Sequence, residues 1–568
     1  MNALCLAAFL TVWTASPMVR VTPGSMPPED AEREISLSLA RRERESAQIL
    51  VTCDAETELR GVSLEIEPLE REDGAPFSGD VKWERVGYVP RVPDCKPHPD
   101  APGADEKWLP DPLLPARPFD VARGTTQGAW LTVYASPDAK AGLYRSSVRV
   151  TQNGKTLATV PLAVRVRNFS LGRTFRLDTA FSLMDGFLRK KYPGSWQKMK
   201  KQAIDVMLDH RLNPDDISRS SPPDLEDLEH ARMRGMSRFN ILNIVPQPGS
   251  NVSWVCSASA ETLFSDGFYR EFSERLRPYL DALAGRGIDR RAYIYGFDEC
   301  KTNYYSGIDA MWRRLKADFP DLPVMTTSTL FWDYAKGRTN KFDCVTTDWY
   351  CPVVDQYDMK AAARLRAKGK KVWWYVCCSP FHPYANFSSI EYPPVEGRLL
   401  LGHLTWLCKA DGFLYWHVNN WRWWEKMHPQ MDEAECFFPE WNMKNRSKMP
   451  GDGILLYPGK EHVLPSIRLA NIRDGEEDYE YLVLAEERIG REKAAAMVRQ
   501  YIHSPTQFTR DAAALAALRE QLADVIDSST IFLNGREFGG GTWCGGNRRR
   551  GALWRRRISS RLYGDANL

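Results

Sequence analysis

The sequence predicts a multidomain protein of mixed class, with an N-terminal β-sandwich, then a (β/α)8 barrel and C-terminal helices. Alternating polar and apolar residues, with frequent turn signals, fill residues 20–170 and are typical of a sandwich. From residue 171 onward, short apolar runs alternate with helical periodicity, the pattern of parallel βα units. Eight such runs over about 250 residues fit one barrel. A chain of 568 residues is long enough to bury several cores.

The two ends of the chain differ from the rest. An apolar run covers residues 3–13 and is followed by small residues, which resembles an export signal. We therefore predict a signal peptide over residues 1–16 and an exported protein that is periplasmic, cell-surface or extracellular. Residues 528–568 are rich in Gly and Arg with little apolar periodicity, and we predict a disordered tail.

Composition excludes several classes of partner. The net charge of +3 comes from the tail, because residues 531–568 hold eight Arg against two acids. The near-neutral body gives no sign of a nucleic-acid partner. No segment has about 18 consecutive apolar residues, so no membrane span is expected. The 12 Cys show no metal-ligand spacing, and neither metal nor cofactor is predicted. The oligomeric state cannot be read from these features.

The sandwich prediction depends on a few local patterns. Residues 34–39 and 147–151 alternate polar and apolar side chains, and residues 129–134 are rich in β-branched and aromatic residues. Asn153 and Gly154 form a strong two-residue hairpin signal. A Pro-rich stretch from Pro90 to Pro118 predicts a long loop. We expect this domain, residues 20–170, to brace its neighbour.

The predicted barrel domain covers residues 171–527. Its strand candidates are residues 179–184, 212–217, 240–245, 292–297, 324–327, 344–350, 372–377 and 412–418. Helical spacing of apolar residues separates most of them, as between Phe268 and Leu283. Beyond residue 451, an apolar stripe from Leu515 to Ile526 predicts a helix that packs on the barrel.

Two adjacent acids follow the fourth strand. Residues 293–296 read as a short buried strand, and Asp298 and Glu299 come where it should end. In barrels of this kind, chemistry sits at the C-terminal ends of the strands. The alternative is the first turn of a helix that begins near Asn303, where acids are also favoured.

Other predicted strand ends carry acids, aromatic side chains and amides. Such a set suits a saccharide, whose C–H face stacks on aromatic rings and whose hydroxyls need directional partners. The predicted substrate-binding residues are Trp332, Asp348, Tyr350, Trp374, Tyr375, Trp416 and Asn419. A single Trp is more often a core residue, so the coincidence over several strand ends carries the prediction.

Three C-terminal segments resemble a known signature. Residues 451–459, 465–469 and 473–482 resemble the DUF4091 domain, which belongs to proteins similar to the glycoside hydrolase family 123 N-acetyl-β-galactosaminidases. Residues 34–51, with the sequence Glu-Ser-Ala-Gln at 45–48, are similar to the sandwich domain of those proteins. The resemblance implies a glycan or glycoconjugate substrate.

The resemblance also implies a mechanism and site residues. It implies a retaining exo-hexosaminidase that removes terminal β-linked N-acetylgalactosamine, with the 2-acetamido oxygen of the substrate as nucleophile. By motif, Asp298 would orient the acetamido group, and Glu299, in a drier position, would be the general acid and base. Asp348 and Tyr350 match a looser Asp-x-Tyr pattern of related enzymes, and Tyr350 would bind the acetamido oxygen.

Two other functions stay open. A retaining glycosidase of the ordinary type would use Glu299 as acid and base, with Asp348 or Asp333 as a protein nucleophile about 5 Å away. A non-catalytic glycan-binding protein would keep the aromatic residues and show no hydrolysis.

Overall fold

The N-terminal strands form two sheets that pack face to face. The computed structural model describes residues 10–91, 98–99, 106–244, 265–338, 346–421 and 449–528. The N-terminal strands are β1 Leu10–Ala15, β2 Ile35–Arg41, β3 Glu43–Cys53, β4 Leu59–Ile66, β5 Glu70–Arg71, β6 Gly79–Pro90, β7 Trp108–Leu114, β8 Phe119–Val121, β9 Thr126–Ala135, β10 Gly142–Gln152 and β11 Lys155–Ser170. One sheet has the order β1-β3-β9-β6-β7, and the other has β2-β11-β10-β4-β8 with β5 paired to β10.

The two sheets share an apolar core, as the alternating pattern predicts. Ile49 and Val133 from one sheet pack with Val148 and Val164 from the other, and all four are fully buried. At the β10–β11 hairpin, Asn153 and Gly154 both have positive φ angles, of 51° and 77°. Those angles suit the tight turn that an Asn-Gly pair favours. The predicted sandwich and its hairpin are therefore confirmed.

The first described strand comes from the segment predicted to be a signal peptide. Strand β1 pairs antiparallel with β3 from Leu10↔Cys53 to Ala15↔Gln48. Trp13 is buried, and its indole Nε1 donates a hydrogen bond of 2.9 Å to Thr52 Oγ1. Cleavage near residue 16 would remove this edge strand from the sheet.

The second half of the chain supplies parallel strands separated by helices. These strands are β12 Asp178–Ser182, β13 Pro214–Asp215, β14 Phe239–Ile244, β15 Ala292–Gly296, β16 Val324–Thr326, β17 Trp349–Tyr350, β18 Lys371–Val372, β19 Trp374–Val376 and β20 Gly412–Tyr415. Each predicted strand has a counterpart here, although that of 344–350 is short and its residues 344 and 345 lie outside the described ranges. Two short antiparallel pairs follow, β21 Tyr457–Pro458 with β22 Val463–Leu464 and β23 Ile502–Ser504 with β24 Gln507–Phe508.

These parallel strands form two sheets, where the sequence predicts one closed barrel. One sheet has the order β13-β12-β20-β19 and the other β14-β15-β16-β17-β18. Strands β13 and β14 belong to different sheets and are joined through a side chain. The Asp215 carboxylate of β13 accepts hydrogen bonds of 3.0 Å from the backbone N–H of Asn240 in β14. Trp373 separates β18 from β19 along the chain. A single eight-stranded barrel is therefore not established.

Both parallel sheets contribute to one inner cluster of apolar side chains. Tyr293, Tyr295, Trp349 and Tyr375 belong to this inner cluster, together with Leu414 of β20. The side chains that alternate with them point outward to the helices. Residues 293–296, predicted as a buried strand, therefore pack one face on the inner cluster and the other face on the core beneath the helices.

Helices cover the outer side. They are α1 Asp185–Lys191, α2 Trp196–Asp209, α3 Leu225–Met233, α4 Asp266–Gly285, α5 Tyr305–Asp318, α6 Leu330–Ala335, α7 Met359–Arg366, α8 Val395–Leu399, α9 Thr405–Cys408, α10 Ile467–Ile489, α11 Arg491–Val498 and α12 Ala512–Asp527. A π-helical turn, Leu400–Leu404, joins α8 to α9. Within the described ranges, no helix has the length and apolarity to cross a bilayer.

Helix α10 joins the helical layer to the sandwich through buried charges. It contains the 473–482 segment singled out above, and most of its residues are buried. Arg473 donates to Ser46 Oγ at 3.0 Å, and Glu477 accepts a bond of 3.0 Å from the Arg44 amide. Arg398 of α8 pairs with both Asp478 and Glu45. The two segments that carry the family resemblance therefore contact each other.

Candidate active site

The adjacent acids lie in a turn directly after β15. Phe297 and Glu299 have positive φ angles of 59° and 48°, which L-residues seldom adopt. A short 3₁₀ turn, Thr302–Tyr304, and then α5 follow them. The acids therefore precede the helix, and the hypothesis that they form its first turn is wrong. Their hydrogen bonds run to the inner cluster and the end of β16.

Asp298 is held by two hydroxyl donors. Tyr295 Oη donates to its Oδ1 at 2.5 Å, and Thr327 Oγ1 donates to the same oxygen at 2.6 Å. Burial raises the pKa of Asp298 to about 6, although both hydrogen bonds act to lower it. Among the described residues both donors contact Oδ1, which leaves Oδ2 for a ligand N–H.

Glu299 is the more exposed acid of the pair. Its Oε1 accepts a hydrogen bond of 2.7 Å from Tyr375 Oη, and its amide contacts Thr327 Oγ1 at 3.2 Å. The expectation that Glu299 occupies the drier position is wrong for this state, because the turn directs Asp298 inward and leaves Glu299 exposed. Tyr375 thus links β19 to the acidic turn, and its contact with substrate stays a prediction.

A further acid lies near the same strand ends. Asp452 Oδ1 accepts hydrogen bonds from Trp416 Nε1 at 3.0 Å and from Tyr415 Oη at 3.1 Å. Burial raises the pKa of Asp452 to about 6. The Cys378 thiol interacts electrostatically with both Asp452 and Glu299. Asp452 and the predicted Trp416 therefore belong to the surroundings of the acidic pair.

Two predicted ligand-binding aromatic residues face the helices instead. Tyr350 is 1% exposed and packs against Phe331 of α6 with ring centroids 6.5 Å apart. Trp374 is fully buried, and its Nε1 donates to Thr405 Oγ1 at 3.1 Å. The predicted substrate contacts of Tyr350 and Trp374 are wrong. Side chains alternate between the two faces of β17 and β19, and the neighbouring Trp349 and Tyr375 are the ones that face the inner cluster.

The two acids offered as alternative nucleophiles are engaged elsewhere. Asp348 precedes β17, accepts from the Val324 amide and pairs with Lys316 at 2.7 Å. It therefore lies at the N-terminal end of the strands, opposite the acidic turn, and the prediction that it binds substrate is wrong. Asp333 is buried on α6 and accepts a bond of 2.6 Å from Tyr305 Oη.

Two predicted residues remain. Asn419 is fully buried and bonds the backbone of Met184 through both amide atoms, so it has a structural role in place of the predicted ligand contact. Trp332 is half-buried on α6, with Lys336 Nζ 4.5 Å from its ring. Its role as a substrate contact stays a prediction. Trp423 and Trp424, which follow β20 in the sequence, lie outside the described residues.

Sequence reasoning missed three residues of this site. Tyr295 lies within the strand that the acids follow, and its alternation with Ile294 was the available signal. Thr327 ends the predicted fifth strand. Asp452 lies in the Gly-Asp-Gly start of the 451–459 segment and was read only as part of a family signature. Across the described ranges, no group of three or more His, Cys, Asp or Glu could hold a metal ion.

Comparison with known families gives this chain its class. The model described as the glycoside hydrolase 123 N-terminal domain matches residues 25–152, and the glycoside hydrolase 123 catalytic domain matches residues 325–485. Together the two matches cover more than half of the chain, and they define the class of protein as a glycoside hydrolase. The chain belongs to glycoside hydrolase family 123. Asp298 and Glu299 lie between the two matched ranges.

One solved structure shares this fold. A family 123 glycoside hydrolase from Clostridium perfringens, described in work on glycolipid glycan hydrolysis, aligns with a TM-score of 0.63 and 12% identity. The alignment covers 91% of this chain and 97% of that chain. A family 39 glycoside hydrolase from Bacteroides cellulosilyticus WH2 aligns with a TM-score of only 0.32 at 10% identity, over 73% and 80% of the chains. No curated protein matches the sequence.

Proposed function

We propose that this glycoside hydrolase removes terminal β-linked N-acetylgalactosamine from glycans by retaining, substrate-assisted catalysis. The observation that carries the proposal is the pair of adjacent acids with unlike surroundings. Asp298 is enclosed by Tyr295 and Thr327, whereas Glu299 is exposed and contacts Tyr375. When the substrate brings its own nucleophile, no second carboxylate is needed across the ring, so adjacent acids suffice.

Asp298 suits the task of stabilising positive charge. Above its pKa of about 6 it is ionised, and its Oδ2 can accept the N–H of a 2-acetamido group. The acetamido oxygen would then attack the anomeric carbon and form an oxazolinium-like intermediate. A buried carboxylate stabilises that developing charge more strongly than an exposed one, because the surrounding dielectric is low.

Glu299 suits the task of proton transfer. It would donate a proton to the leaving glycosidic oxygen and then remove one from the incoming water. Tyr375 would hold the carboxyl in place through its hydroxyl.

The rest of the architecture bears on the same proposal. We propose that the two parallel sheets act as one (β/α)8 barrel, since both contribute to the inner cluster. We also propose that residues 451–482 form a domain of the DUF4091 type, which their resemblance to its signature supports. Export also remains a proposal, which N-terminal sequencing of the secreted product would test.

The test is hydrolysis of three matched aryl β-glycosides. The N-acetylgalactosaminide should be cleaved fastest, the N-acetylglucosaminide more slowly, and the plain galactoside not at all. Cleavage of the plain galactoside at a similar rate would refute substrate assistance and favour the ordinary retaining mechanism. Binding without hydrolysis of any glycoside would favour the non-catalytic alternative.

Variants of the pair distinguish the two roles. Glu299→Ala should regain hydrolysis of an aryl glycoside with an activated leaving group when azide is added, because only acid and base catalysis is lost. Asp298→Ala should regain little. The reverse pattern would exchange the two roles. Asp348→Asn is the matched control and should leave kcat/KM nearly unchanged.

A further inference from the structure

Two neighbouring cysteines follow β19 and differ from the other described thiols. Cys378 is exposed and Cys377 is half-buried, and their thiols form a hydrogen bond to each other. The other free cysteines among the described residues are all buried, and they are Cys53, Cys300, Cys351 and Cys408. The pair is therefore the accessible dithiol of the described chain.

The pair lies beside the acidic turn. Cys377 comes two residues after Tyr375, whose hydroxyl contacts Glu299, and packs against the inner cluster. The Cys378 thiol interacts electrostatically with Glu299 and with Asp452. A chemical change at these sulfurs would thus occur next to the proposed acid and base.

The peptide group between the two cysteines is anchored on both sides. Its carbonyl, that of Cys377, accepts hydrogen bonds from Ser388 Oγ at 2.7 Å and Asn386 Nδ2 at 3.1 Å. Its N–H, that of Cys378, donates to Asp452. A twist of this one peptide group would therefore disturb the Asp452 contact, and through Asp452 the position of Trp416.

The thiols have the chemistry of a reactive and a resolving cysteine. Hydrogen bonding from Cys377 lowers the pKa of the Cys378 thiol and raises that of Cys377. Oxidation-sensitive thiols in proteins are exposed, ionise readily and have a second thiol close by. Cys378 has these features, and Cys377 is the second thiol.

We propose that Cys378 is a peroxide-sensitive thiol, that Cys377 resolves it to a disulfide between the two neighbours, and that this reversible oxidation lowers activity at Glu299. The site itself depends only on the two cysteines, while its effect on activity rests on the proposed function. The reactant is a hydroperoxide.

The chemistry balances as a two-electron oxidation. The Cys378 thiolate attacks one peroxide oxygen, the O–O bond breaks, and hydroxide leaves with the thiol proton as water. The Cys377 sulfur then displaces the new hydroxyl from Cys378 as a second water, and the S–S bond forms. The peroxide is reduced by the two electrons that the two thiols lose.

Reversibility follows from the covalent geometry. Neighbouring Cα atoms lie about 3.8 Å apart across a trans peptide, which is shorter than the usual separation of about 4.4–6.8 Å in disulfides. A disulfide between neighbouring cysteines closes a small ring, and this ring must twist the peptide group that it contains. Strained disulfides are reduced more readily than relaxed ones. We therefore expect a mild dithiol reductant to restore both thiols.

Mass spectrometry tests the site without reference to activity. Trypsin should release residues 372–398 as one peptide, which contains Cys377 and Cys378 and no other cysteine. After limited hydrogen peroxide, this peptide from the full-length protein should lose two hydrogen atoms, and dithiothreitol should restore them. A peptide that keeps both hydrogens, or gains only oxygen, overturns the proposal.

Activity measurements test the consequence. Hydrolysis of an aryl N-acetylgalactosaminide should fall about tenfold with disulfide formation and recover on reduction. Cys378→Ser should resist peroxide. Cys377→Ser cannot form the disulfide, so excess peroxide should oxidise its Cys378 past the sulfenic acid to the sulfinic acid, which dithiothreitol does not reduce. The matched control Cys53→Ser should behave as wild type. Disulfide formation with unchanged activity overturns the switch. If the enzyme is inactive before peroxide is added, the proposed function is refuted. The mass of the peptide still shows whether Cys377 and Cys378 form a disulfide.

Discussion

The hydroxyl of Tyr375 donates a hydrogen bond of 2.7 Å to Oε1 of Glu299. This contact joins β19 to the turn that follows β15, a strand of the other parallel sheet, and the two residues are 76 positions apart in the chain. It places an inward-facing phenol against the acid that we propose transfers the proton. This hydrogen bond and the packing around it predict how variants of the contacting residues should behave.

Tyr375→Phe should lower kcat/KM by about 10- to 150-fold, because a hydrogen bond to a charged group contributes roughly 1.5–3 kcal/mol. Tyr350→Phe is the matched control, since Tyr350 packs on the outer face against Phe331. Equal losses in both variants would contradict the assignment of Tyr375 to the site.

The rate should depend on the ionisation of Asp298. Its pKa of about 6 lies above the ordinary value of 3.8, and the proposed mechanism needs the ionised form. We therefore expect kcat/KM to fall as pH drops below about 6. A profile that stays flat down to pH 4 would contradict the role proposed for Asp298.

The same pKa has a consequence for stability. Because burial raises the pKa of Asp298 in the folded state, the stability that comes from its protonation is present below pH 3.8 and is lost as pH rises through about 6. Asp298→Asn should therefore raise the melting temperature at pH 7.5 and change it little near pH 3.5. Asp348→Asn, which breaks ion pairs with lysines, should not show this gain.

The buried charges under α10 should be essential for stability. Arg398→Ala would leave Asp478 and Glu45 without that partner, and we expect a loss of about 3–5 kcal/mol in the free energy of unfolding. Arg60→Ala is the control, because its pair with Glu58 is exposed to solvent and should contribute little to stability. Chemical denaturation measures both. Similar small losses would show that the buried network is not needed.

Strand β1 should contribute to the stability of the sandwich. Removal of residues 1–16 exposes the β3 edge and deletes the buried Trp13, so we expect the melting temperature of the sandwich to fall. Removal of residues 1–9 keeps β1 and is the matched control. If the protein that begins at residue 17 melts at the same temperature as the longer form, β1 is not needed for the stability of the sandwich.

Local sequence determined much of this protein. The Asn153–Gly154 turn, the alternating strands of the sandwich and the position of Asp298 and Glu299 after a buried strand all follow from short-range rules. The family resemblance came from residues 34–51 and 451–482, which turn out to meet in the buried network at α10.

Tertiary structure decided which face each side chain occupies. Tyr350 and Tyr375 both lie on parallel strands and looked equivalent, yet Tyr375 faces the inner cluster and Tyr350 faces the helices. Side chains along a strand alternate between its two faces. When both faces are buried, the sequence separates the side chains into two sets but does not show which set faces the inner cluster. The packing of the neighbouring strands makes that choice. It also brought Thr327 and Asp452, which are distant in sequence, to the acidic pair and its surroundings.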